Sequence, residues 1–305
     1  MMLRATALGR VLSSDDGPDW MASHASYATP IELDADTIRV FFVSRDDANR
    51  GAVGWIDVKS QDPRSVIQVC DRPVLIHGQP GTFDDRGISL GHIVPIDGRL
   101  WLYYMGWNTV GDGSFRNSIG LAISTNLLGT SFERFSIGPI LDRNRFDAYT
   151  LSYPYVRRTD LNWLMYYGSS KAATERQEDM QHILTCATSS NGREWMPTGR
   201  KVIGLEPGEY GLSRPWLADL GGRNFMLYSI RRAQYTIGVS QIAPDGMPGK
   251  RVTRDLLAGG TSDWDGEATC YPAVINIARK SYLFYSGNGY GRTGFGVAEL
   301  TLESD

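Results

Sequence analysis

The sequence predicts an all-β protein built from five copies of one unit of about 61 residues. Three observations support this: a short motif recurs at nearly constant spacing, each copy continues into aromatic-rich strands, and no long segment shows helical periodicity. The composition agrees with it, because 34 Gly, 14 Pro, 8 Trp, 15 Tyr and 10 Phe are typical of strands joined by turns.

The recurring motif is a small or polar residue, a variable residue, Pro and then an apolar strand. It occurs at 28–30, 152–154, 213–215 and 270–272, and Gly91 takes the Pro place in a weaker copy. The gaps between these anchors are 61, 63, 61 and 57 residues, so the copies fill the chain. Pro is tolerated at the start of a strand, where its missing N–H costs no central ladder bond.

Each copy then continues in the same way. An aromatic-rich strand is predicted at 38–43, 100–105, 163–167, 225–228 and 282–285. A third strand begins near a Gly or a small residue, at 53–56, 119–123, 183–187, 237–239 and 295–298. Asn191-Gly192 is a hairpin signal that leads into a fourth strand.

Four strands repeated five times are typical of a β-propeller. The sequence therefore predicts a single domain over residues 1–305, a five-bladed β-propeller of four-stranded antiparallel blades around a central channel. The predicted blades are roughly 20–75, 84–140, 147–200, 208–255 and 265–303.

Charge and cysteine content exclude several classes of protein. The net charge of −3 gives no electrostatic case for nucleic acid or for an anionic membrane. Cys70, Cys186 and Cys270 are odd in number and lack CxxC spacing, so neither a disulfide framework nor a zinc site is expected. No run approaches the ~20 apolar residues of a membrane span, and residues 1–16 lack the apolar core of a signal peptide. We expect a cytoplasmic protein.

The whole chain resembles the five-bladed propellers of glycoside hydrolase families 43, 32, 68, 62, 117 and 130. The stretch 284–296, Phe-Tyr-Ser-Gly-Asn-Gly-Tyr-Gly-Arg-Thr-Gly-Phe-Gly, is similar to bacterial proteins described as glycosyl hydrolase-like. The resemblance implies a carbohydrate substrate. It leaves a channel Ca²⁺ open, but no residue spacing predicts a metal or any other cofactor.

The chain departs from the family 43 pattern of three carboxylates. Thr29 and Tyr153 occupy the places of the two Asp residues that precede a blade's Pro. Ser213 and Arg214 stand near the place of the acidic Glu. Family 130, which contains phosphorylases that hold phosphate with basic residues, is the nearer resemblance.

Acidic residues do recur slightly upstream, in the loops that enter the inner strands: Asp84, Asp85, Asp147, Glu209 and Glu267, with His24 in the first copy. Equivalent positions of a propeller converge at one end of its channel, so these side chains should meet. Glycoside cleavage needs two carboxyl groups, a proton donor and a base or nucleophile. We expect Asp85 or Glu267 as the acid, with Glu209 as its partner and inversion as the default. Turn formation is the competing interpretation of each acid.

Ten further residues are candidates for substrate binding: His24, Arg45, Arg86, Trp107, Asp147, Tyr153, Arg214, Arg231, Tyr271 and Asn288. Arg214 directly precedes Pro215 and could grip a carboxylate, a phosphate or a sugar hydroxyl, or form a structural salt bridge. Aromatic faces stack on sugar rings, but packing under a loop explains Trp107 equally well.

Three functions stay open at this level. The first is hydrolysis of a small oligosaccharide or glycoconjugate, and the second is phosphorolysis with arginines on phosphate. The third is a propeller that only binds carbohydrate or serves polysaccharide biosynthesis. The sequence does not reveal the sugar, the linkage or the oligomeric state.

Overall fold

The computed structural model describes residues 2–109, 115–170, 181–243, 246–257 and 262–303. These residues form β-strands almost throughout, with one 3₁₀ turn at Ser14–Asp16 and one helical turn, α1, at Asn288–Gly291. The all-β prediction is therefore confirmed for the described part of the chain.

The strands are numbered β1 to β20 in chain order. The first are β1 (Met2–Leu12), β2 (Ser23–Glu32), β3 (Thr37–Arg45), β4 (Gly51–Lys59) and β5 (Val66–Val69). Next come β6 (Gly87–Ile96), β7 (Arg99–Thr109), β8 (Phe115–Ser124) and β9 (Phe132–Arg134), then β10 (Leu151–Arg158), β11 (Trp163–Ser170), β12 (His182–Ser189) and β13 (Met196–Ile203). The last are β14 (Gly211–Leu220), β15 (Arg223–Arg231), β16 (Tyr235–Ile242), β17 (Pro248–Thr253), β18 (Cys270–Ile277), β19 (Lys280–Ser286) and β20 (Phe295–Glu303).

Consecutive strands pair with each other, and we call the resulting sets A (β2–β5), B (β6–β9), C (β10–β13), D (β14–β17) and E (β18–β20 with β1). Within each set neighbouring strands pair antiparallel, as predicted. Single parallel bridges, Gly51 with Gly87 and His182 with Gly211, link neighbouring sets into longer sheets.

The predicted limits of the last copy were incomplete, because they left out β1. This strand pairs along β20 from Met2 to Leu12 and completes set E. Its sequence has only short apolar pieces because it is an edge strand, with polar and exposed residues such as Arg4 and Arg10 between them.

The chain comprises two compact units. Unit 1 consists of Met1–Asp47, Gly54–Pro73 and Trp216–Asp305; unit 2 consists of Ala48–Val53 and Val74–Pro215. Unit 1 has an apolar core that includes Phe42, Phe284 and Phe295. The core of unit 2 is rich in larger aromatics, among them Trp101 and Trp163, whose rings stack at 6.3 Å. The prediction of a single domain stays a prediction.

A bulge with left-handed backbone begins the first strand of four sets. The residues with positive φ are Tyr27 (57°), Tyr153 (47°), Arg214 (46°) and Tyr271 (57°). Non-glycine residues rarely adopt this conformation, and it costs ~1–3 kcal/mol where the surrounding structure imposes it. The fold therefore holds a large side chain in one strained orientation at each of these positions.

The bulge corrects the alignment of the first copy. We matched Thr29-Pro30 to Tyr153-Pro154, but the registers pair Ser26 with Val43 and Thr29 with Phe41, which makes Tyr27 the equivalent residue. The backbone N–H of Tyr27 donates to Ser286 Oγ at 3.2 Å, just as that of Tyr271 donates to Ser229 Oγ at 2.7 Å. The Pro signature misled the alignment because Ala28 fills the Pro place.

A side-chain hydrogen bond between a Tyr and an Asp recurs in sets B, C and E. A tyrosine hydroxyl from the second strand donates to an Asp twenty residues earlier: Tyr104 to Asp84 (3.0 Å), Tyr167 to Asp147 (2.7 Å) and Tyr285 to Asp265 (2.9 Å). All three Asp residues are at most 2% exposed. These pairs tie the loop that enters each set to the centre of the same set.

Candidate functional site

The strained tyrosines of unit 1 lie in an aromatic cluster. The rings of Tyr27 and Tyr271 are 4.4 Å apart, Tyr235 lies 6.2 Å from Tyr271, and Tyr290 meets Tyr235 edge-on at 5.5 Å. Tyr271 was predicted from the sequence, whereas Tyr27 and Tyr235 were missed. Tyr27 could have been found by allowing Ala in the Pro place of the motif.

The exposure of the tyrosine side chains differs across this cluster. Tyr27 and Tyr271 are almost fully buried, whereas Tyr290 is 45% exposed and has a positive φ of 64°. Burial raises the pKa of the Tyr235 hydroxyl above its ordinary value, although the nearby Arg231 guanidinium acts in the opposite direction. The Tyr235 phenol therefore stays protonated, and the rings of the cluster offer stacking surfaces.

His24 lies near two cations of unit 1. Its φ is 64°, and its Nδ1 is 3.0 Å from Ser23 Oγ. Burial lowers the pKa of His24 to about 4, and the charges of Arg45 and Arg292 lower it further in the same direction. The imidazole is neutral at pH 7, and its surroundings are electropositive.

Glu267 lies in the loop that precedes β18, and Asn288 of α1 holds the backbone of this loop. Asn288 Oδ1 accepts the backbone N–H groups of Glu267 and Ala268, both at 2.9 Å, and its Nδ2 donates to the Asp263 carbonyl. The Asn288 side-chain amide thus hydrogen-bonds the loop backbone, so a structural role in fixing this loop explains the residue. The Glu267 carboxylate is exposed.

In unit 2, Arg214 is a fully buried cation. It is 1% exposed, and its Nη1 donates to the Leu90 carbonyl at 2.6 Å. His92 stacks on Tyr155 at 4.1 Å, and its Nδ1 lies 2.9 Å from the Val156 carbonyl. Burial lowers the pKa of His92 to about 3, with a smaller contribution from the charge of Arg214. His92 is therefore neutral at pH 7.

Two predicted carboxylates of unit 2, Asp85 and Glu209, differ in their surroundings. Asp85 Oδ2 accepts the Gly81 N–H at 2.8 Å, while its Oδ1 is buried and has no hydrogen-bond partner among the described residues. Glu209 is 6% exposed, and its Oε2 accepts the Glu206 N–H at 2.9 Å. A buried carboxylate oxygen without a partner calls for an explanation, and a bound donor group is one.

Asp147 has a different setting. It is 1% exposed and accepts hydrogen bonds from Tyr167 (2.7 Å), Ser169 (2.6 Å) and Asn144 (3.0 Å). These bonds leave its carboxylate little capacity for a ligand, so we leave Asp147 out of the proposed site.

The remaining predicted residues lie at the surface or in local packing. Arg86 is exposed, and its backbone N–H donates to the Trp107 carbonyl. Trp107 is half-buried, its ring meets Phe115 edge-on at 5.2 Å, and a Cβ at Gly87 would collide with it. Tyr153, Arg45 and Arg231 are half-buried.

The described residues lack two features that would point to a metal ion or a membrane. No group of three or more His, Cys, Asp or Glu is placed to hold a metal ion. No helix in this part of the chain is long and apolar enough to cross a membrane.

No protein-family model matches the chain. A protein of Mycobacterium tuberculosis, "Uncharacterized protein Rv1502", is 32% identical over 295 residues, which cover 96% of this chain and 98% of that protein. The chain belongs to the family of this mycobacterial protein.

Solved structures extend the comparison to proteins of the same fold. A "Glycoside hydrolase" superposes with a TM-score of 0.74 at 15% identity, covering 98% of this chain and 92% of that one. An α-L-arabinofuranosidase from Lactobacillus brevis gives 0.70 at 11% identity and covers 96% of both chains. The predicted resemblance is confirmed: the chain has the fold of these glycoside hydrolases and a bacterial relative of similar length.

Proposed function

We propose that this family member is a glycoside hydrolase that cleaves a small oligosaccharide or glycoconjugate with carboxylate acid–base catalysis. We further propose that sets A to E are the five blades of one propeller over residues 1–305. The fold shared with glycoside hydrolases and the four-fold repetition of the strained bulge support this. Fold alone does not fix function, so the argument rests on the side chains.

The observation that carries the proposal is the buried, unpartnered Oδ1 of Asp85. Because the Gly81 N–H donates to Oδ2, a proton on this carboxyl belongs on Oδ1, which is then free to donate it. A glycosidic oxygen that leaves the anomeric carbon needs such a proton. Asp85 is therefore our general acid.

Glu209 is the proposed base. In inversion, Glu209 takes a proton from a water, and the oxygen of that water bonds to the anomeric carbon. At the same time the carbon–oxygen bond to the leaving group breaks, and its oxygen takes the Asp85 proton. Arg214, His92 and Tyr153 are proposed to position the sugar, since their orientations are fixed by burial, stacking or a strained backbone. The exposed Glu267 is the alternative acid.

The test is a panel of oligosaccharides and aryl glycosides, assayed with Asp85→Asn, Glu209→Gln and Glu267→Gln. We expect Asp85→Asn to lower kcat at least about 100-fold, the usual size of general acid catalysis, while KM changes little. Asp160→Asn, which removes an exposed turn carboxylate of the same unit, is the matched control. Proton NMR of the first product gives the anomer. Activity that survives both Asp85→Asn and Glu209→Gln would discard the assignment.

Phosphorolysis is the second candidate, because Arg214 is a buried cation at the start of an inner strand. It requires that turnover depend on phosphate and yield a sugar phosphate, with Arg86 and Arg231 as further phosphate ligands. The same assays with and without phosphate decide between the two reactions.

A propeller that binds carbohydrate without cleaving it is the third candidate. Thr29, Tyr153 and Arg214 in the places of the family 43 acids favour it. Sugar binding without turnover on the whole panel would support this function and remove the enzymatic ones.

A further inference from the structure

We propose that Tyr290 is the stacking platform of a carbohydrate site in unit 1, where its ring lies against the C–H face of a pyranose. The inference rests on the proposed function for the class of ligand, and it deepens that function by assigning a residue of unit 1 to sugar binding. A tyrosine ring and a pyranose match chemically, since each has an apolar face and a polar edge.

The Tyr290 ring is open to solvent, unlike the rings of Tyr27 and Tyr271. It is 45% exposed, whereas those two are at most 4% exposed. Its ring contact among the described residues is T-shaped, with the Tyr235 ring 5.5 Å away at an interplanar angle of 77°. A T-shaped neighbour covers at most one face of a ring, so this contact leaves the other face for a ligand.

The backbone of Tyr290 is strained at a place where glycine would suffice. Gly289 (φ 59°), Tyr290 (64°) and Gly291 (90°) are three consecutive left-handed residues. Glycine adopts this conformation without steric cost, whereas an aromatic residue rarely adopts it. The turn by itself therefore does not require a tyrosine at its centre. Strain that the turn does not need points to a function of the side chain.

The turn that carries Tyr290 is held firmly in place. The Gly291 N–H donates to the Gly287 carbonyl at 3.2 Å, and the Gly287 N–H donates to the Gly294 carbonyl at 3.0 Å. Gly291 also lies so close to β2 that a Cβ there would collide with Ser26. This support fixes the orientation of the ring before a sugar arrives, which lowers the entropic cost of binding.

Tyr235 places a second phenol beside the platform. Its ring lies 5.5 Å from that of Tyr290 and 6.2 Å from that of Tyr271. Burial, and after it the nearness of Tyr290, raises the pKa of the Tyr235 hydroxyl, so this group stays protonated. Phenol groups both donate and accept hydrogen bonds, as the hydroxyls of a neutral sugar do. The cluster therefore offers a stacking face together with groups suited to the polar edge of the same pyranose.

The test is an NMR titration of the full chain, labelled with ¹³C in its tyrosine rings, with methyl β-glucopyranoside, methyl β-galactopyranoside and methyl α-mannopyranoside. The ring signal of Tyr290 is identified by its absence from the spectrum of Tyr290→Phe, so the readout belongs to this residue. We expect the signal to shift, and the shift to saturate, with at least one of these glycosides. A Tyr290 signal that none of them moves overturns the proposal.

Tyr290→Asn should raise the dissociation constant at this site at least about 10-fold, the worth of one favourable aromatic contact, with the Tyr235 ring signal as the readout. Asn tolerates left-handed backbone, so the turn should be kept. Ala278→Asn is the matched control, because Ala278 is an exposed residue of the same set with a φ of 53°. It should leave the dissociation constant unchanged.

Tyr290→Phe separates the ring from its hydroxyl. It keeps the stacking face, so the dissociation constant should stay within about three-fold of the wild-type value. An unchanged constant in Tyr290→Asn overturns the stacking role, and so does a loss in Tyr290→Phe as large as that in Tyr290→Asn. If Tyr290→Asn does not fold, the wild-type titration and Tyr290→Phe decide.

The two proposals fail in different ways. Hydrolysis that depends on Asp85, without any shift of the Tyr290 signal, overturns the inference and keeps the proposed function. A saturating shift of the Tyr290 signal, without turnover of any sugar on the panel, keeps the binding site and removes the enzyme.

Discussion

Sets C and A place different residues at the same buried positions near the centre of the sheet. In set C, Tyr167 lies at the centre of the sheet and its hydroxyl donates to the buried Asp147. In set A, the position equivalent to Asp147 is Met21 and the position equivalent to Tyr167 is Phe42, which is also fully buried. The carboxylate and the hydroxyl disappear together.

Set D is intermediate between these two. Gly208 stands in the place of the Asp, and Tyr228 keeps its hydroxyl, which lies 3.1 Å from Ser240 Oγ. A buried hydroxyl needs a partner, and each set either supplies one or omits the hydroxyl. The recurrent acids at Asp84, Asp147 and Asp265 are therefore explained by packing, and their recurrence is not in itself evidence for catalysis.

Asp147→Ala should remove the hydrogen bond between Tyr167 and Asp147 and have the largest effect on the free energy of unfolding. It removes an acceptor of three hydrogen bonds and leaves the buried Tyr167 and Ser169 hydroxyls without it, so we expect a loss of about 3–5 kcal/mol. Burial and the Asp147 charge also raise the pKa of Tyr167, so its hydroxyl is protonated at any ordinary pH. Urea unfolding followed by fluorescence measures the loss. An unchanged midpoint would mean that Asp147 is available for substrate after all.

The next largest effect concerns His92. Its folded pKa is about 3, below the ordinary 6.5, so between these pH values the unfolded chain binds a proton that the folded chain does not. Stability should therefore fall as the pH drops from 6.5 towards 3, by about 2–4 kcal/mol in total. His24 acts in the same direction down to about pH 4.

His92→Asn tests this pH dependence, because an Asn side chain can still donate to the Val156 carbonyl but does not titrate. The free energy of unfolding of the variant should depend less steeply on pH between 6.5 and 4 than that of the wild type. Parallel curves would show that His92 takes up its proton in the folded state.

Set A can be converted towards set C. Phe42→Tyr buries a hydroxyl where Met21 offers no oxygen acceptor, and we expect it to cost about 1–2 kcal/mol. Met21→Asp with Phe42→Tyr should be more stable than the sum of the two single changes predicts. Additive effects in this double-mutant cycle would refute the equivalence of the two positions.

The comparison also shows what sequence reasoning reaches. Fixed spacing and aromatic-rich strands were enough to predict the all-β fold and the turn at Asn191-Gly192, where Gly192 has a φ of 73°. The alignment failed at Tyr27, because Pro30, three residues further on, was taken as the anchor although the backbone bulge is what repeats.

The sequence could not show which side chains contact each other in the folded protein. Asp84 and Asp85 are neighbours in the chain, yet Asp84 is held by Tyr104 and Arg134 whereas Asp85 keeps a buried oxygen without a partner. No local pattern distinguishes two adjacent Asp residues. The tyrosine cluster of unit 1 was missed for the same reason, since its members come from separate stretches of the chain.

The smallest expected difference separates two tyrosines. Tyr167→Phe removes a hydrogen bond to a charged carboxylate, and Tyr228→Phe removes one to a neutral serine. Bonds to charged groups contribute about 1.5–3 kcal/mol and neutral ones about 0.5–1.5, so Tyr167→Phe should be the more destabilising change by about 1 kcal/mol. Both changes delete one oxygen from a buried ring at equivalent positions, so each is the control of the other. Equal losses in urea unfolding would mean that the Asp147 charge adds nothing to the free energy of unfolding. The central tyrosines of sets C and D would then stabilise their own sets equally.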